Sequence, residues 1–192
     1  MAKKNEAKPR KSTTADEDLL VDLVAAFCQH ARDIGVNTQR QGGENVMIEF
    51  DVNRDDHPRV VGGQGKHITA LRTIFEFIGA REARRIRLML KEPTRGQRGL
   101  NAPFKANFDW DAEPTVKLLR RVLDRILVHP YSVETVRSGD TTNVEVRVDK
   151  KEQEIIDALK PHLHPIFHAI GKENGQNLFL EAPQQVPTMA PA

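Results

Sequence analysis

The sequence predicts an α+β chain of two tandem units, each with a three-stranded sheet packed on helices. Three observations predict it. Along residues 16–90, helical apolar spacing and period-two alternation follow one another in the order helix, strand, strand, helix, turn, helix, strand. Residues 113–182 repeat parts of that pattern. Between them, Pro93–Ala112 carries Gly96, Gly99 and Pro103 and reads as a linker. The 192 residues, with 39% apolar and 29% charged side chains, suit two small lobes with much surface.

Each element of the first unit has its own signal. Asp16–Ile34 reads as a helix, with Leu19, Leu20, Leu23, Val24, Phe27 and Ile34 at helical spacing. Thr13 or Thr14 can cap it, Asp16, Glu17 and Asp18 suit its first turn, and Gly35 is expected to end it. Val36–Gln41 reads as a short strand and Gly42-Gly43 as a turn. Asn45–Val52 sets Val46, Ile48 and Phe50 against polar neighbours and reads as a second strand. Asp55–Val61 is a short helix beginning near Asp55 or Asp56, with Pro58 tolerated in its first turn. A glycine turn follows, then a helix from Lys66 to Ile78 that Gly79 is expected to close. Arg84–Leu90 alternates Ile86, Leu88 and Leu90 inward with Arg85, Arg87 and Met89 outward, a third strand.

The turn Gly62-Gly63-Gln64-Gly65 is the stretch that points to chemistry. It aims backbone N–H groups and the start of a helix at one spot, with Lys66 beside it and no bulky side chain to keep a phosphate away. A helix–helix turn that merely needs glycine would have the same composition. The frame narrows the choice, because G-x-x-G between two helices, after an alternating strand, resembles the signature of a type II KH domain. Val46–Lys91 is similar to the small bacterial RNA-binding proteins of the KhpA family. The resemblance rests on Arg59-Val60-Val61-Gly62-Gly63-Gln64-Gly65-Lys66, Ala70-Leu71-Arg72-Thr73-Ile74 and Arg84-Arg85-Ile86-Arg87-Leu88. It covers residues 16–92, under half of the chain. Gly63 and Gln64 stand where that family often has basic residues, and Pro58 where glycine is common.

The resemblance implies single-stranded RNA as the ligand and a role as RNA chaperone or post-transcriptional regulator. It also implies self-association or pairing with another KH protein, and in bacteria a link to the cell envelope and cell shape. In this reading Gly62, Gly63, Gln64 and Gly65 let the sugar-phosphate chain approach, while Lys66 and Arg59 offset its charge. Val61 and Ile68 would floor a groove for bases, with Arg85 and Arg87 at its rim. The plainer alternative makes the first two core residues and the arginines a solvated strand face. His67 would touch phosphate or base, or simply sit exposed on the helix. The unbasic loop centre implies affinity below the family norm.

The second unit carries an internal comparison. Leu71–Gly79 matches Leu163–Gly171, and Ile86 and Leu88 match Leu178 and Leu180 at the same offset. Asn45–Phe50 matches Asn143–Val148, and the helix Pro114–Val128 takes the place of the first helix. The shortening falls at the glycine turn: against Val61–Ile68 stands Leu159-Lys160-Pro161-His162, without glycine. A second KH-like domain of this kind would keep the fold and lose the phosphate clamp, serving packing, dimerisation or a protein partner. The glycines would then serve a ligand rather than the fold.

The remainder bounds the function. Residues 1–14 read as a disordered basic tail with Lys3, Lys4, Lys8, Arg10 and Lys11 against Glu6, able to bind nucleic acid weakly or only to solubilise. Residues 15–92 form the first domain, 93–112 the linker, 113–182 the second domain and 183–192 a disordered tail. In the linker, Arg95 and Arg98 could touch phosphate, and Phe104, Phe108 and Trp110 dock on a domain or stack with bases. The lone Cys28 reads as a buried structural thiol. His162, His164 and His168 cluster without convergent Cys or carboxylate, so no metal or other cofactor is expected. No nucleophile, Walker or metal-hydrolase motif is present, so neither an enzyme, nor catalytic residues, nor a small-molecule substrate is expected. The chain lacks an apolar run of membrane-spanning length and a signal core, which reads as cytoplasmic with no membrane partner. The main rival reading is a protein-interaction scaffold or ribosome-assembly factor using the KH-like folds as docking surfaces.

Overall fold

In the computed structural model, the chain forms two three-stranded sheets, each with helices against it. The structure describes residues 13–40, 42, 44–93, 113–173, 175 and 177–181. The basic tail, the linker residues Arg95, Arg98, Phe104, Phe108 and Trp110, and the C-terminal tail lie outside the described residues.

The first unit runs α1 (Thr13–Ala25), β1 (Gly35–Arg40), β2 (Asn45–Asp51), α2 (His57–Val61), α3 (Lys66–Arg81) and β3 (Arg85–Leu90). β1 pairs antiparallel with β2, and β3 joins the other edge of β2 in parallel, Val46 opposite Ile86 and Ile48 opposite Leu88. The period-two alternation sends Val46, Ile48, Phe50, Ile86 and Leu88 into the core. There they meet Leu19, Leu20, Leu23 and Val24 of α1 and Leu71, Ile74, Phe75 and Ile78 of α3, all buried.

The C-terminal ends of two helices differ from the sequence reading, each for a visible reason; α1 also starts earlier, at Thr13, and α2 later, at His57. α1 ends at Ala25 rather than at Ile34. Beyond it the N–H groups of Gln29 and His30 donate to the Asp56 carboxylate, at 2.8 and 2.7 Å, and a short 3-10 turn at Ala31–Asp33 leads into β1. Gly35 therefore does not cap a helix. It opens β1 opposite Asp51, where a Cβ would come within 2.6 Å of the Asp51 Oδ1. Nor does Gly79 close α3, which continues to Arg81. Gly79 is buried within the helix, and a Cβ there would meet the Arg84 carbonyl oxygen at 2.6 Å. Its absence lets the chain turn tightly from α3 into β3, with the Arg84 N–H donating to the Gly79 carbonyl at 2.7 Å.

The second unit runs α4 (Glu113–Ile126), β4 (Ser132–Ser138), β5 (Thr141–Arg147), α5 (Gln153–Glu173) and β6 (Asn177–Glu181). Its sheet repeats the pairing of the first, β4 antiparallel to β5 and β6 parallel to β5. Leu163, Ile166, Phe167, Ile170 and Gly171 are buried, as are their counterparts Leu71, Ile74, Phe75, Ile78 and Gly79. The strand match needs correcting by two residues. Leu178 lies opposite Thr142 and Leu180 opposite Val144, so Asn45–Phe50 corresponds to Thr141–Val146 and not to Asn143–Val148. Alternation alone leaves such a shift undecided, since a two-residue slip keeps every side chain on its face.

A shared device fixes the equivalence. The buried Glu152, just ahead of α5, accepts the N–H groups of Val128 and His129 with its carboxylate, as Asp56 accepts those of Gln29 and His30. A histidine Nδ1 stands beside each carboxylate, His30 at 3.1 Å and His129 at 3.5 Å. Asn53 and Asp149 begin the same side-chain-to-backbone turn ahead of them, onto the N–H groups of Asp55 and Lys151. Burial would raise the Glu152 carboxyl, but the two backbone N–H groups outweigh it and hold it below the ordinary glutamate value.

Where the first unit has α2, the glycine turn and α3, the second has one continuous helix. α5 runs 21 residues through Pro161 and Pro165. The buried Val60 and Leu71 are separated by Val61–Ala70, and their counterparts Ile156 and Leu163 by Asp157–His162, so the helix is shorter by four residues, the length of Gly62–Gly65.

The units are docked. α5 packs along α3, and α4 lies against α1 and α3, giving one continuous apolar core. At the junction Asp16, fully buried, takes Arg84 Nη1 at 2.9 Å from its own unit and Arg125 Nη2 at 2.7 Å from the other. Glu82 accepts from both arginines as well. Burial opposes the charge on Arg84 and Arg125, yet the two carboxylates more than offset it and both arginines are held above their ordinary value.

Candidate functional site

α2 is one and a half turns long because Pro58 sits in its first turn and Gly62 ends it. The Gly62 N–H donates to the Pro58 carbonyl at 2.9 Å, and the chain then leaves the helix at φ 72°, ψ 169°. That region is open essentially to glycine alone. Gln64 (φ 57°, ψ 26°) and Gly65 (φ 76°, ψ 16°) are both left-handed, and Lys66 starts α3. The Gly65 and Lys66 N–H groups turn inward, onto the carbonyls of Gly62 and Gly63. Gly63, Gln64 and Lys66 face solvent.

The three glycines have different reasons to be glycine. A Cβ at Gly62 would lie 2.6 Å from His67 Cγ and 2.9 Å from the His67 backbone nitrogen. Gly65 needs its left-handed conformation and has room otherwise. Gly63 has neither constraint: a Cβ would meet nothing within 4 Å, and its φ is not positive. The expectation that the glycines serve a ligand and not the fold therefore divides, since Gly62 and Gly65 serve the turn itself.

His67 does not simply sit exposed on the helix. Its Nδ1 donates to the Arg59 carbonyl at 2.6 Å, and its ring sits edge-on to the buried Phe27 at 5.7 Å. The ring thus ties the start of α3 to α2 across the glycine turn. Ile68 is 7% exposed and belongs to the core, while Val61 is half-buried beside the turn. Arg59 is half-buried on α2. Its guanidinium pairs with Glu173, the last residue of α5, and lies 3.9 Å from Asp56 Oδ1.

Arg85 and Arg87 are not brought to the turn. They point from the sheet face opposite the core. β3 also starts beside the C-terminal end of α3, and a 16-residue helix puts about 24 Å between that end and the turn. Sequence reading missed Asp56, Phe27 and Glu173. Asp56 was visible only as a helix-start residue, and the partnership of Arg59 with Glu173 spans more than a hundred positions and carries no local signal.

Cys28 is half-buried close to this cluster. Burial, with Asp56 next in weight, pushes its thiol well up, so it stays protonated. In the second unit His164 and His168 stack on α5, ring centroids 5.7 Å apart, with Phe179 5.9 Å from each. Among the described residues no three His, Cys, Asp or Glu side chains converge to hold a metal ion, and no helix is long and apolar enough to cross a membrane.

A three-stranded mixed sheet, helices on one face and a G-x-x-G turn opening the third helix together define a KH domain. Residues 17–90 match the family described as KhpA/KhpB, KH domain. The RNA-binding protein KhpA of Listeria monocytogenes serovar 1/2a is 29% identical over 76 residues, which cover 40% of this chain and 99% of that protein. The RNA-binding protein KhpA of Halalkalibacterium halodurans is 31% identical over 70 residues, 36% of this chain and 91% of that protein. The chain belongs to the KhpA/KhpB KH-domain family through this segment.

Proposed function

We propose that this protein binds single-stranded RNA at the turn Gly62–Gly65 of its first unit, as an RNA chaperone or post-transcriptional regulator. The observation that carries the reading is Gly63. The fold does not require glycine there, and the exposed position leaves the tip of the turn uncovered, so that a phosphate can reach its backbone without displacing a side chain. Gln64 supports it: a non-glycine residue held left-handed costs on the order of 1 kcal/mol and keeps the turn in one shape. Lys66, exposed at the first position of α3, supplies charge where the helix dipole already favours an anion. Val61 borders the turn and would contact the first base. His67 and Ile68 act from behind, by fixing the turn. The names of the KhpA relatives agree with the ligand class.

In this reading the second unit is a KH-like domain that lost the clamp by deletion. Fusing the two helices into α5 removes the left-handed turn, and Pro161 and Pro165 bring no N–H to offer a phosphate. Residues 15–92 then act on RNA, and residues 113–182 act as a docked partner of the first domain, in the cytoplasm. The test is fluorescence anisotropy with a short labelled single-stranded RNA at near-physiological salt. Gly63→Asp/Gln64→Asp should weaken binding at least tenfold while leaving the melting temperature near that of the parent. Equal affinity would exclude the turn as the binding site and favour a docking scaffold.

A further inference from the structure

Arg59 is the cation of α2 nearest the glycine turn, three residues ahead of Gly62. Its main chain is fixed, since its carbonyl accepts from His67. Its guanidinium is committed elsewhere, to Glu173 of the second unit. Glu173 is oddly placed for its own helix. It ends α5, where the helix dipole is negative and a carboxylate is disfavoured. Among the described residues its charge partner is Arg59, across the junction. Both side chains remain about one-third exposed, 35% and 36%, so the pair is hydrated and can open.

We infer that Glu173 is an affinity-setting residue for RNA at the glycine turn, holding the Arg59 guanidinium away from phosphate. The inference rests on the loop reading above. Its physical content is competition. A phosphate reaching the turn must displace Glu173 from Arg59 before it gains that cation, so binding loses part of one charge contact. Because Glu173 belongs to α5, the RNA affinity of the first unit depends on the second unit being docked. A second unit without a phosphate clamp thereby acquires a function, as the regulator of the unit that has one.

The experiment uses the full chain and a short labelled single-stranded RNA of mixed sequence, titrated from low to moderate salt. Glu173→Gln should bind a few-fold more tightly, on the order of two- to fivefold, with the salt dependence of log K steeper by about 0.7, the contribution of one added phosphate contact on a single strand. The gain should vanish in the Arg59→Gln background, since there is then no cation to release. Gly63→Asp/Gln64→Asp is measured alongside. If that variant binds as the parent does, the loop reading falls and this inference with it. If it binds weakly but Glu173→Gln leaves both affinity and salt slope unchanged, or its gain survives Arg59→Gln, the inference alone is overturned. Melting temperatures check that each variant is folded, and a hydrated, partly exposed pair should move them little.

Discussion

Replacing Gly62 with alanine should destabilise the protein, and the structure sets the size of the effect. The backbone at Gly62 sits at φ 72°, ψ 169°, a region that costs a non-glycine residue on the order of 1–3 kcal/mol. The new methyl would also lie 2.6 and 2.8 Å from Cγ and Nδ1 of His67, and 2.9 Å from its backbone nitrogen. The ring must move, and its hydrogen bond to the Arg59 carbonyl, worth about 1 kcal/mol, weakens or breaks. The sum is about 2–4 kcal/mol, a large share of the ~5–15 kcal/mol that holds a typical domain folded. For a chain of this size that is a fall of about 5–15 °C in melting temperature. Urea denaturation followed by circular dichroism gives the free energy directly. Gly63→Ala is the control, since its methyl meets nothing within 4 Å and its φ is not positive, and it should melt within a degree or two of the parent. Equal stability of the two variants would refute the assignment of Gly62 to the fold.

Arg125→Ala should cost about 1–3 kcal/mol, because among the described residues the fully buried Asp16 would keep only Arg84 as its ion-pair partner. Arg147→Ala, whose partners Glu134 and Glu145 lie at the surface of the second sheet, should leave the urea midpoint unchanged. Glu152 titrates below its ordinary value in the folded protein, so its contribution is present above the unfolded-state value, about pH 4.3, and is lost as pH falls through the lower folded value. Glu152→Gln should therefore flatten the acid limb of the melting-temperature profile relative to the parent, while lowering stability at neutral pH by about 1–3 kcal/mol.

The first unit was legible in the sequence because its strands alternate cleanly and its glycine turn sits between two helices. Val46, Ile48, Phe50, Ile86 and Leu88 are buried where the alternation puts them. The end of α1 was not legible. Its apolar spacing runs on through Phe27 and Ile34, and what stops the helix is Asp56, nearly thirty positions later, capturing two N–H groups. Gly35 and Gly79 read as helix terminators, yet both are there for close approach, to Asp51 and to the backbone at Arg84. β4 carries Val133 alone inward, too little to signal a strand. α5 contradicts the local rule that proline ends a helix, and tertiary packing of Leu159, Leu163, Ile166 and Ile170 overrides that rule. At the site, the turn was legible and its surroundings were not. The inward His67 and the pairing of Arg59 with Glu173 depend on contacts between elements that no spacing encodes.

The central claim is that the turn Gly62–Gly65 of the first unit contacts single-stranded RNA. An NMR titration of the ¹⁵N-labelled full chain with a short single-stranded RNA tests it residue by residue. The amides of Gly62, Gly63, Gln64, Gly65 and Lys66 should shift first and furthest, with smaller changes at Arg59 and Val61. Shifts confined to residues 113–181, with the turn unmoved at saturation, would contradict it.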